Sequence, residues 1–125
     1  MKKVICDTNI LIRHFQNDLE TVGEMSKIGS SNALLPTIVV MEFFRGMGNK
    51  NELENMKSKL KHYYILHINE DTSKKALQFI ESYRLSHDLK MPDVLIGAMS
   101  VVYQIPLFTY NVKDFKYLPG LVLYQ

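Results

Sequence analysis

Apolar residues fall along this chain in short runs, separated by polar stretches with helical spacing. Val4-Ile5-Cys6 reads as a short buried strand. From Thr8 to about Gln16 the spacing predicts a helix, with Leu11, Ile12 and Phe15 on one face. A second helix is expected over about Leu19–Ile28, and Gly29-Ser30-Ser31-Asn32 is loop chemistry. Ala33-Leu34-Leu35 is a minimal strand. Pro36-Thr37 opens a helix that carries Glu42 and ends at Gly46 and Gly48. Residues 50–62 read as a polar helix and Tyr64-Ile65-Leu66 as a strand. Asp71-Thr72 starts a long helix to about His87, with Ala76, Leu77, Ile80 and Tyr83 inward. The helix from about Asp93 to Tyr103 is apolar nearly all round, which places it at the centre. Ile105–Phe108 and Leu121–Leu123 are the last predicted strands.

Strands alternating with helices predict an α/β fold, a mostly parallel central sheet with helices on both faces. In such sheets ligands bind at the carboxyl ends of the strands. Asp7 falls there directly, and so does Thr109-Tyr110-Asn111, so the two ends of the chain point at one crevice. With 125 residues and no repeat, linker or low-complexity stretch, residues 1–125 read as one domain with a sizeable core.

No apolar run approaches the ~20 residues that span a membrane. Met1-Lys2-Lys3 before Val4-Ile5-Cys6 looks faintly like a secretion signal, but Asp7 and Asn9 interrupt it, and a cytoplasmic protein is expected. The single cysteine, Cys6, cannot form an internal disulfide and reads as a small core residue. A net charge of +2 does not identify a nucleic-acid binder. Its distribution says more: Arg45, Lys50, Lys57, Lys59 and Lys61 face only Glu52 and Glu54 over residues 45–62. Such a stretch is either a solvated helix face or a flank that meets phosphates.

The candidate chemistry lies in three carboxylates set inside apolar runs. Asp7 follows Val4-Ile5-Cys6, Glu42 interrupts Ile38–Met41 and Phe43-Phe44, and Asp93 precedes Val94-Leu95-Ile96. Carboxylates are rarely buried unless something pairs with them. Three in such settings point to one shared partner, and a divalent cation is the simplest. Mg²⁺ and Mn²⁺ prefer oxygen ligands. A metal among these acids would orient a phosphate and activate water. Without it the acids would repel, and at least one pKa should rise. Each residue also has a local alternative. Asp7, Thr8 and Asn9 are good helix N-caps, Glu42 can pair with Arg45 one turn on, and Asp93 suits a helix's first turn. Asn111 and Asp114 have the spacing of a capping pair. The histidines lack zinc-ligand spacing, and no glycine-rich phosphate loop is present.

Taken in order, these residues resemble the PIN-domain ribonucleases, specifically the VapC-like toxins of toxin–antitoxin pairs. The resemblance runs through Val4–Ile12, Thr37–Gly46, Pro92–Ala98, Thr109–Phe115 and Leu118-Pro119-Gly120-Leu121, essentially the whole chain. It implies a three-layer PIN-like sandwich and a Mg²⁺- or Mn²⁺-dependent endoribonuclease. Asp7, Glu42 and Asp93 match the metal-holding acids, and Thr8 and Asn9 the neighbours that shape the site, with Thr109 at the last strand's end. Asn111 stands where many members have Asp, and Asp114 matches an acid that some carry before an aromatic residue. The pattern leaves open which of these two completes the site, and whether one metal or two are held. Arg45, Lys57, Lys59 and Lys61 become candidate RNA contacts. The resemblance also implies a homodimer inhibited by a cognate antitoxin.

Rival readings fare less well on the residues. Haloacid-dehalogenase-type phosphatases place a second Asp two residues after the first, where this chain has Asn9. A receiver-like signalling domain needs an Asp after a central strand, but His67-Ile68-Asn69 follows Tyr64–Leu66. A PIN fold kept as a non-catalytic RNA-binding or interaction module usually loses one acid, and Asp7, Glu42 and Asp93 are all retained.

Overall fold

Four short strands, each an apolar run too short to be a helix, assemble into one sheet in the order β3-β2-β1-β4. The computed structural model describes residues 2–125. The strands are β1 (Val4–Cys6), β2 (Ala33–Pro36), β3 (Tyr64–Leu66) and β4 (Leu107–Phe108). Every pairing is parallel: Ile5 faces Leu34 on one side and Leu107 on the other, and Leu35 faces Ile65. Parallel pairing requires crossovers, and six helices supply them: α1 (Thr8–Phe15), α2 (Leu19–Ile28), α3 (Thr37–Arg45), α4 (Lys50–Leu60), α5 (Glu70–Tyr83) and α6 (Met91–Tyr103). They cover both faces of the sheet, so β1 and β2 are buried throughout, as three-layer α/β folds require.

Helices α2, α4 and α5 start where short polar side chains cap them, whereas α3 follows Pro36 without such a cap. Asp18 accepts from the Thr21 amide at 3.2 Å, Asn49 from Glu52 at 2.9 Å and Asn69 from Thr72 at 2.8 Å. Each satisfies an amide that the first helical turn leaves free. Helix α6 has no side-chain cap, but Pro92 lies in its first turn. It is the central helix that its sequence predicts, buried from Ile96 through Ser100. Gln104, at φ 55°, reverses the chain after it, and the Ser100 hydroxyl donates to the Ile105 carbonyl at 2.6 Å. Cys6 is buried, its thiol pushed up to about 12 chiefly by desolvation, which makes it an inert core residue.

Four expectations need correction. The predicted strand Leu121–Leu123 is reduced to one bridge between Leu123 and Leu107. Strand β4 is shorter than Ile105–Phe108: Pro106 has no N–H to donate towards β1 and only accepts there from the Ile5 amide, while Leu107 bonds Val122 and Tyr124 on the other side. Helix α5 ends at Tyr83 rather than His87, and Leu77 is 61% exposed; the buried stripe is Thr72, Ala76 and Phe79. In α1 the buried pair is Ile10 and Leu11, while Ile12 lies at the surface.

Gly97 permits the closest approach in the core. A Cβ there would stand 2.4 Å from Leu118 Cδ1, with Phe115 Cδ1 at 3.5 Å behind it. Gly23 sits mid-helix in α2 with nothing within 4 Å of the same position. Alanine should therefore act in opposite directions at the two sites. Gly97→Ala should lose about 1–3 kcal/mol to overpacking, partly offset by about 1 kcal/mol of helix propensity. Gly23→Ala should gain roughly 0.5–1 kcal/mol. Urea unfolding of both variants checks this, and equal stabilisation would show that Leu118 moves aside freely.

Candidate active site

The carboxyl edge of the sheet collects the sequence-predicted acids. Asp7 leaves the end of β1 and caps α1, its Oδ1 accepting from the Thr8 amide at 2.7 Å. Its other oxygen accepts from the Thr109 hydroxyl at 2.8 Å and from Asn9 Nδ2 at 3.3 Å. The local alternative and the site reading thus coexist at Asp7: one oxygen caps the helix and the other faces the crevice network. Thr8 also donates its hydroxyl to Glu42 Oε1 at 2.8 Å, so one residue fixes two carboxylates. Asn9 Oδ1 accepts from the Tyr110 amide at 3.3 Å, and the Thr109 hydroxyl accepts from the Asn111 amide at 3.0 Å. Both chain ends are stitched together through these four residues.

Glu42 rides on α3, Asp93 on the first turn of α6, and Asp114 on the short 3-10 turn Val112–Asp114 that follows β4. All three are half-buried, whereas Asp7 is 4% exposed. Burial pushes the Asp7 carboxyl above its ordinary range, the bonds from Thr109 and Thr8 pull it back, and the charges of Glu42 and Asp114 add to the rise. Asp93 is raised to about 6, first by desolvation, then by the charges of Asp7 and Asp114, against an opposing pull from Lys90. The four acids therefore share one electrostatic neighbourhood.

Among the described residues none of the four acids is in an ion pair, although Lys90 is near enough to act on Asp93. The ion pairs among the described residues join Lys27 to Glu24, Lys57 to Glu54 and Lys74 to Glu70, all at the surface. Glu42 does not pair with Arg45, which is exposed at the end of α3. An all-oxygen donor set in no ion pair is what Mg²⁺ or Mn²⁺ takes, and in that chemical sense these residues fit such an ion. The side chains are not drawn onto one point: among the described residues no three His, Cys, Asp or Glu are placed to hold an ion together. Asp7 is fixed by its bonds, so any closure falls to rotation of Glu42, Asp93 and Asp114.

The expected capping pair is absent, because Asn111 makes no side-chain cap and Asp114 joins the turn only through its backbone amide, which donates to the Asn111 carbonyl at 3.0 Å. Asn111 contributes backbone to the network while its side chain is exposed. The basic stretch also divides. Lys57 and Lys61 line one cavity with Tyr63, Tyr64 and His67, whereas Lys59 lies over the Phe15 ring at 5.7 Å. A residue two positions along a helix turns to another face, so the three lysines form no single flank. Sequence reasoning passed over a polar cavity of about 310 Å³ beside Asp93 and Asp114, lined also by His87, Lys90, Lys113 and Tyr117. These residues carry no spacing signal. The two aromatic rings meet only because the end of α5 folds against the chain after β4.

Comparison with known proteins bears on the family and the fold. The family model for the PIN domain matches residues 4–121. Curated protein sequences give no significant match. Among solved structures the chain is similar to a toxin–antitoxin complex from Klebsiella pneumoniae, at 27% identity and a TM-score of 0.80, covering 98% of this chain and 99% of that one. It is similar in fold to DNA-bound VapBC from Salmonella typhimurium, at 20% identity and a TM-score of 0.85 over 99% and 98% of the two chains. It also resembles VapC20 of Mycobacterium tuberculosis, a sarcin-ricin loop cleaving toxin, at 12% identity and a TM-score of 0.73 over 95% and 97%.

The raised Asp93 sets a pH dependence of stability. A carboxyl with a folded pKa near 6 and an unfolded value near 3.8 binds its proton more tightly in the native state. Its contribution is fully present below the unfolded value and is lost as pH rises to about 6. In chelator, wild type should lose stability across that window. Asp93→Asn should flatten the loss and melt higher than wild type at pH 7. Parallel melting curves for the two proteins from pH 4 to 7 would show that the fold does not raise Asp93.

Proposed function

The chain belongs to the PIN-domain family, and from that premise we propose that it is a metal-dependent endoribonuclease, the toxin of a toxin–antitoxin pair. One observation carries the reading: a buried Asp7, with Glu42, Asp93 and Asp114 around it, none of them in an ion pair among the described residues, at the carboxyl edge of a parallel sheet. A protein does not keep such a cluster for stability, since like charges with partial burial oppose folding.

In this reading Asp7, Glu42 and Asp93 hold Mg²⁺ or Mn²⁺, with Asp114 as the fourth acid and Asn111 beside it. When bound there, such an ion supplies Lewis-acid stabilisation of a phosphodiester and a water of lowered pKa. The chain's own contribution is orientation. Thr109, Thr8 and Asn9 leave the Asp7 carboxylate one fixed position, and Thr8 aims Glu42 at the same crevice. These bonds also favour the ionised form of Asp7, which burial alone would suppress. Several solved structures to which the chain is similar are toxin–antitoxin complexes, which supports a cognate antitoxin as partner. The family resemblance extends the proposal to a cytoplasmic homodimer. Among the described residues no helix is long and apolar enough to cross a membrane.

Purified protein should cut single-stranded or loop RNA only with Mg²⁺ or Mn²⁺. Asp7→Asn and Asp93→Asn should abolish cutting with an unchanged circular dichroism spectrum, and Asp114→Asn should raise the metal concentration needed. Mg²⁺ should raise the melting temperature of wild type more than that of Asp7→Asn, because ligand binding to the native state stabilises it by mass action. Equal Mg²⁺ shifts would remove these residues from the metal site. RNA that binds but is never cut would favour the non-catalytic module instead.

The lysines call for a separate measurement. Lys57 and Lys61 share a face, so the double change to Gln should flatten the salt dependence of RNA binding by about 0.7 for each phosphate that is no longer neutralised. Lys59→Gln should alter it less. An unchanged slope in the double variant would take α4 out of the RNA path.

A further inference from the structure

The polar cavity beside Asp93 and Asp114 has a wall that the metal reading leaves unused. His87 is exposed, yet its ring is held from three directions. It stacks on Tyr117 with centroids 3.9 Å apart and planes 15° apart. The edge of Tyr83 meets it at 5.6 Å and meets Tyr117 at 5.1 Å. Ser86 Oγ lies 2.8 Å from its Nδ1. An exposed ring is ordinarily free to rotate, and this one is already ordered. No aromatic ring of the described residues covers its other face.

Two cations flank the same cavity. Lys90 and Lys113 line it and form no ion pair among the described residues. Against them stand Asp88, Asp93 and Asp114, so with all three acids ionised the cavity carries one net negative charge. A divalent ion at the carboxylates reverses that sign. Phosphate would then be attracted only once the site is loaded. At about 310 Å³ the cavity lies at the small end of ligand pockets and suits one nucleotide rather than a duplex.

We propose that this cavity is a nucleotide subsite, in which the free face of His87 stacks on one unpaired RNA base beside the cut while Lys90 and Lys113 take its phosphate. The inference rests on the nuclease reading above and deepens it: the substrate is RNA whose bases are unstacked, as in loops and single strands. Because the stacked His87–Tyr117 pair, buttressed edge-on by Tyr83, is built beforehand, stacking costs little ordering, and because any base has a π-face, the subsite reads presence of a base more than its identity. His87 and Tyr117 are positioning residues here, not catalytic ones.

The test is a two-way cycle with the metal-loaded protein. One axis is His87→Leu, which keeps bulk and removes the ring. The other is an RNA substrate carrying a single abasic site, walked across the two nucleotides on either side of the cut. His87→Leu should lower kcat/KM on intact RNA by about five- to hundredfold, the span of base–aromatic stacking, chiefly through KM. At one of the walked positions the abasic site should cost wild type a similar factor and cost His87→Leu almost nothing more. His87→Phe should restore most of the loss. Wild-type kinetics in His87→Leu, or abasic costs that multiply with the substitution at every position, overturn the subsite while the nuclease reading stands. If wild type cuts no RNA with either metal, the nuclease reading itself fails and the subsite falls with it.

Discussion

The molecule is organised around one buried charge, the carboxylate of Asp7 at the dry end of β1. An unpaired carboxylate there would be costly, and the chain meets that cost with hydrogen bonds rather than with a cation. The longest-range of them is the Thr109 hydroxyl, 102 residues away, which donates at 2.8 Å. That bond exists only because β4 pairs in parallel with β1, which brings the chain's last strand beside its first. Strand order and site are therefore a single constraint: moving Thr109 by one position would turn its side chain to the other face of the sheet and leave Asp7 without it.

The acids differ in how tightly they are held. Asp7 has three donors; Glu42 has one, from Thr8. Asp93 sits at the head of a helix without a side-chain cap, and Asp114 on a single 3-10 turn. A fixed acid with looser ones around it can accept an ion by small side-chain rotations, without rearranging the core. Desolvation first, and then repulsion among the acids, raise Asp93, and that is the folding-side cost of the arrangement.

Much of this was legible in the sequence, because a charge inside an apolar run is anomalous wherever it falls. Asp7, Glu42 and Asp93 stood out for that reason, and the buried strands and α6 for their unbroken apolar character. What escaped was phase and company. Leu77 and Ile12 are apolar, but helical phase turns them outward. Lys59 belongs to a basic run, yet lies against Phe15 rather than beside Lys57 and Lys61. Asn111 and Asp114 have capping spacing, but the backbone satisfies that turn by itself. His87 and Tyr117 lie far apart in sequence and in no periodic pattern, so their stacking could be learned only from the fold.

Gly97 shows how packing reaches into the site. It lies one helical turn after Asp93 on α6, and Leu118, whose side chain occupies the space of a Cβ at 97, follows Asp114 by a similar stretch. The 3-10 turn that carries Asp114 is continued by Phe115, wholly buried, and by Leu118. The missing side chain at 97 therefore lets Phe115 and Leu118, in the segment that follows Asp114, lie directly on α6. A larger residue there would have to displace Leu118, in the segment that follows Asp114. In this chain two segments that each carry a site carboxylate are packed together by a contact between two apolar positions.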